Sequence, residues 1–153
     1  MTPGRMSRTR LRAWLAAGIW TLAGAGFAVT FFTDGGPGTL PEDSTRHLAG
    51  AVALALGFLA YWLVLWVTRQ REGEGLVADE RDIQILARAN QVTLIVVLLG
   101  VFGLSIGLWL AYEGGGGVPA GWMWFLAYGS AILAFVTSAV ATLILDGRMG
   151  GYD

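Results

Sequence analysis

Residues 89–112 read ANQVTLIVVLLGVFGLSIGLWLAY, 24 consecutive positions without a charged side chain. A helix needs about 20 such residues to cross roughly 30 Å of hydrocarbon, so this stretch predicts a transmembrane helix. Three more uncharged stretches flank it, at 13–33, 48–68 and 120–145. None alternates apolar and polar residues as a barrel strand would, and all are too long for one. The expected fold is therefore all-α and integral to the membrane: four transmembrane helices in two hairpins, forming a single membrane domain over 1–153. The composition agrees. Of 153 residues, 55% are apolar and 14% charged, whereas a soluble domain carries about 25% charged residues. A net charge of −1 gives no footprint for nucleic acid. The absence of cysteine excludes disulfides, thiolate metal sites and cysteine nucleophiles.

The arginines orient the spans. Arg5, Arg8, Arg10 and Arg12 precede the first, Arg69, Arg71, Arg81 and Arg88 lie in the linker at 69–88, and Arg148 follows the fourth. Only Arg46 falls on the other side. Basic residues favour the cytoplasmic side, so both termini and the 69–88 linker are expected in the cytoplasm. Trp14, Trp62 and Trp66 mark the inner interface; Trp109, Tyr112, Trp122, Trp124 and Tyr128 mark the outer one. Ala23-Gly24-Ala25 imitates a signal cleavage site, but the apolar run continues through Phe32 and favours an uncleaved first helix. The outer connections, from Asp34 to Arg46 and from Glu113 through the glycines to Pro119, are glycine- and proline-containing turns.

Small residues mark where helices can approach closely, since lipid supplies no hydrophobic drive between them. In span four these are Ala127, Ala131, Ala134, Ser138 and Ala141; in span three they are Gly100, Gly103 and Gly107; span two adds Ala53 and Gly57. Such seams serve packing within one bundle or pairing with a second copy. No ionisable residue lies in the middle of any span, where proton relays and coupled transporters usually carry one. Thr21, Ser105, Thr137, Ser138 and Thr142 are expected to hydrogen-bond back to their own helices.

The linker holds the only dense charge pattern. Gly73 and Gly75 read as a hinge, and from Asp79 no breaker interrupts the run into span three. The spacing predicts a cytoplasmic extension of the third helix, with Asp79 as N-cap and Glu80 and Asp82 in the favourable first turn. Ile83, Leu86, Ala87 and Asn90 are expected to share its apolar face, leaving Ile85 on the polar side. Neither Arg81 nor Arg88 has a carboxylate three or four residues away, where intrahelical pairs form. Asp79, Glu80, Arg81, Asp82 and Arg88 are thus free to pair elsewhere: with the N-terminal arginines, with Arg69 and Arg71, or with a second copy. They form the candidate interaction site. If the element were only a cap, Asp79 would matter more than Arg81; as an inter-helix clamp, the order reverses.

Two spans, an Asp-Glu-Arg-x-x-x-Ile element, an alanine one turn on and two further spans resemble a prokaryotic family of small predicted membrane proteins of unknown function. The matching residues are Asp79, Glu80, Arg81, Ile85 and Ala89. The resemblance implies the four-span fold and a prokaryotic plasma-membrane address. It implies no catalytic residue.

His47, the lone imidazole, suits an interfacial role better than ligation of haem or metal. Asp79, Glu80 and Asp82 could meet a hard cation, but around one helical turn they diverge. No metal or cofactor is expected, and no nucleophile–base pair or phosphate loop is present. The reading is a non-enzymatic interaction or accessory module that self-associates or binds another membrane protein. The alternative is an oligomeric passive channel or small transporter.

Overall fold

The computed structural model describes residues 8–33, 35–39, 43–68 and 80–149. Among these residues there are four long helices, α1 (Arg8–Phe32), α2 (Ser44–Val67), α3 (Glu80–Tyr112) and α4 (Gly121–Met149), and a 3-10 turn at Gly36–Gly38. Every one is long and apolar enough to cross a membrane. Among the described residues there is no strand. Each helix overruns at one end the uncharged stretch that announces it. Charged side chains do not break helices, and lipid headgroups and water accommodate them beyond the hydrocarbon.

Helix α1 is the hub, packed against α2 and α4, while α3 packs along α4. The reason lies in its aromatic face. Trp20 is fully buried and stacks on Phe135 of α4 with ring centroids 4.2 Å apart; Phe58 of α2 meets it edge-on at 4.8 Å. One layer along, Phe27 and Phe31 pack against Phe125 of α4 at 5.8 and 4.7 Å. Aromatic pairs add about 0.5–1.5 kcal/mol each beyond their buried area. Small residues let the backbones close in around these rings. A Cβ on Gly57 would stand 3.1 Å from that of Ala23, and one on Gly24 would stand 2.9 Å from Ile132 Cγ2.

Asp43 caps α2, accepting from the backbone amides of Thr45 and Arg46 at 3.0 and 3.1 Å. The sequence marks Asp79 as the corresponding cap of α3, but it lies outside the described residues, as do Gly73 and Gly75. The chain connecting α1 to α2 touches the start of α4: a Cβ on Gly121 would collide with the carbonyl of Pro37.

Candidate functional site

Polar side chains gather at both ends of the helix cluster. At one end Arg46 is 8% exposed. Its Nε donates to Thr30 O (3.1 Å), Nη1 to Thr39 Oγ1 (2.9 Å), and Nη2 to Phe31 O (3.0 Å) and Gly36 O (3.3 Å). The last carbonyls of a helix have no intrahelical partner and carry partial negative charge. Arg46 supplies both the missing donors and the cation, so it is a clamp on the end of α1. Sequence reasoning uses it only as the exception to the charge asymmetry. His47 beside it meets Trp124 edge-on at 5.1 Å, an aromatic contact at the helix end.

At the opposite end Asp146 of α4 is the meeting point. Its carboxylate lies 3.6 Å from Arg81 Nη2 and 3.9 Å from Arg10 Nε, and its side chain is 13% exposed. Arg81 Nη2 also donates to the Asp146 carbonyl at 3.3 Å. Thr9 donates to Asp82 at 3.2 Å. Arg12 Nε donates to Thr68 Oγ1 at 2.7 Å, and its Nη2 to the Thr68 carbonyl. These contacts tie α1 to α2, α3 and α4, and α3 to α4. A carboxylate in the last turn of a helix opposes the macrodipole, and the two arginines offset that cost. Sequence reasoning missed Asp146. The available signal was an acid in that unfavourable position, directly after an apolar span.

The candidate residues of the linker separate into two groups. Arg81 and Asp82 reach other helices; Glu80 and Arg88 are exposed and meet no ionic partner among the described residues; Asp79 lies outside them. The expected facing of this segment requires correction. Ile85 and Ala89 are completely buried, whereas Ile83 is 58% and Leu86 46% exposed. The stripe Arg81–Ile85–Ala89, at four-residue spacing, turns inward. Near lipid, hydrophobicity no longer selects the packed face; close approach and polar pairing do. The arginine, isoleucine and alanine of the element noted in the sequence are therefore its packing residues.

The seams divide similarly. A Cβ on Gly100 would meet Leu133 Cδ2 at 2.8 Å, but Gly103 and Gly107 have nothing within 4 Å. On α4, Ala141 is buried, Ala131, Ala134 and Ser138 are half-buried, and Ala127 is exposed. Thr142 donates back to Ser138 O at 2.8 Å, as expected. Among the described residues Thr21, Ser105, Thr137 and Ser138 make no such bond.

Below the Asp146 contacts lies a cavity of about 180 Å³ between the four helices, with Arg12, Tyr61, Leu86, Phe135, Ser138 and Thr142 in its walls. Among the described residues no group of three or more His, Cys, Asp or Glu side chains could hold a metal ion.

No curated protein and no solved structure matches the chain. A family model of predicted membrane proteins, DUF2178, matches residues 13–142, which takes in the first three apolar stretches, most of the fourth and the Arg81 stripe. With four apolar helices and a match over most of its length, the chain belongs to this family of predicted membrane proteins.

Proposed function

We propose that the protein is a non-enzymatic interaction module of a prokaryotic plasma membrane, pairing through α3 with a second copy or with another membrane protein. The observation that carries this reading is the open seam at Gly103 and Gly107. Helix α3 is the longest of the four, it packs chiefly along α4, and a Cβ at either glycine would have nothing within 4 Å. Glycines at this spacing allow a second backbone to approach closely and gain dispersion contacts that lipid does not supply as well. A pore through a single copy has less support, because the fully buried Trp20 stacks on Phe135 inside the cluster.

The same reading keeps both termini in the cytoplasm. Nine arginines stand on that side, and the single outer one, Arg46, is occupied by the end of α1.

Gly103→Leu tests the pairing. Within one chain the position has room, so unfolding in detergent should stay as in the parent protein. Cross-linking in liposomes should fall several-fold. Unchanged cross-linking removes the α3 interface. Orientation is tested separately with Glu74→Cys in a chain that has no native cysteine: labelling by an impermeant thiol reagent from outside intact cells refutes it.

A further inference from the structure

We propose that the cavity beneath Asp146 binds the phosphate of an acidic phospholipid, taken from the leaflet at that end of the protein, with Arg12 as the cationic contact. This goes beyond pairing through α3 and uses a different face.

Arg12 carries the argument. It is half-buried, and both partners it has are neutral: the hydroxyl and the carbonyl of Thr68. The carboxylate of Asp146 is taken by Arg10 and Arg81, and Asp82 accepts from Thr9. Among the described residues no Asp or Glu lines the cavity. A guanidinium withdrawn from water without a counter-ion is costly near hydrocarbon, and an anion removes that cost. Basic pockets between transmembrane helices are known to hold anionic lipid headgroups in this manner.

The walls supply the remaining donors. Tyr61 and Ser138 both line the cavity, and neither hydroxyl makes a hydrogen bond among the described residues. Thr142, by contrast, is occupied by its own helix. One cation and two unengaged hydroxyls around a common space match the several acceptor oxygens of a phosphate.

Size and surroundings argue for a lipid. About 180 Å³ accommodates a headgroup phosphate and its first attached atoms, given that a 150 Å³ cavity holds benzene. It cannot enclose acyl chains. Leu65 and Leu86, which border it, are 39% and 46% exposed, so an apolar path leads from the phosphate position to the lipid phase. A free anion would gain nothing from that path.

The test uses the full chain in dodecyl maltoside, titrated with dioleoylphosphatidylglycerol, dioleoylphosphatidylcholine or inorganic phosphate. Bound lipid is read by native mass spectrometry, and protection by the thermal unfolding midpoint. Phosphatidylglycerol should bind at least tenfold more tightly than phosphatidylcholine. Arg12→Gln should weaken it about tenfold, and Tyr61→Phe about threefold. Arg12→Gln also cuts the tie to α2, so Thr68→Val provides the control: it removes the hydroxyl half of that tie, keeps the cation, and should bind phosphatidylglycerol as the parent does. Ser138→Leu, which fills the cavity, should abolish the effect. Equal binding of phosphatidylcholine overturns the proposal, as does equal protection by inorganic phosphate. So does retained binding in Ser138→Leu. An equal loss in Arg148→Gln, at an exposed arginine outside the cavity, reduces the effect to diffuse surface attraction and also overturns it.

Discussion

Arg46 and Arg81 perform the same act at opposite ends of the protein, each reaching a neighbouring helix's terminal carbonyls, and they do it under different terms. Arg46 is 8% exposed, and all three of its guanidinium nitrogens donate to neutral oxygens. The Arg81 side chain is 37% exposed; one nitrogen serves both the carboxylate and the carbonyl of Asp146, and Nε is enclosed without a partner. A buried guanidinium is tolerated only when its hydrogen bonds are complete. Arg46 therefore has donors filled on all three of its nitrogens. Arg81 is held by charge, at distances where exposed pairs contribute little, and retains an unfilled donor.

The comparison breaks most sharply at Arg46. Arg46→Ala should destabilise by about 3 kcal/mol or more, since hydrogen bonds to charged groups contribute about 1.5–3 kcal/mol each and the α1 carbonyls lose their donors. Arg46→Lys should recover less than half of that, because an ammonium cannot reproduce the planar fork. Denaturant-induced unfolding in detergent measures both; a Lys variant as stable as the parent would show that charge alone suffices.

Arg81→Ala should cost about 1 kcal/mol, with salt weakening the effect of the pair. A double-mutant cycle with Asp146→Asn isolates the coupling, expected at about 0.5–1 kcal/mol. Zero coupling would mean that Arg81 acts through the carbonyl alone. The contact between Thr9 and Asp82 ranks next: Thr9→Val should cost about 0.5–1 kcal/mol, read from the same unfolding curves. The smallest effect belongs to Arg88→Gln. It lies within about 0.5 kcal/mol of zero, and a larger loss would expose a partner that Arg88 finds only in the membrane.

The four helices are legible in the sequence because a run of uncharged residues long enough to span hydrocarbon has few other uses. Facing is not. In α3 every side chain from Leu94 to Leu99 is apolar, so periodicity carries no direction. The burial of Ile85 and Ala89 follows instead from Arg81 and from α4, which begins some 30 residues later. Arg81 meets Asp146 of α4, an acid the charge pattern does not connect with it and not one of the partners that pattern offers. The clamp at Arg46 is equally hidden, since its acceptors are backbone carbonyls and a sequence does not display them. Of the three α3 glycines, Gly100 meets Leu133, while Gly103 and Gly107 meet nothing among the described residues.

The stack of Trp20 on Phe135 joins α1 to α4, 115 positions further along the chain. At about 5–20 residues per second, α1 waits on the order of ten seconds before its aromatic face meets α4. During that interval the indole N–H, which has no partner even in the finished protein, stays within the insertion machinery or faces lipid. Assembly of the hub thus waits for α4 to emerge. A ribosome stalled before Phe135 would leave α1 and α2 paired along Gly57, with one side of Trp20 uncovered.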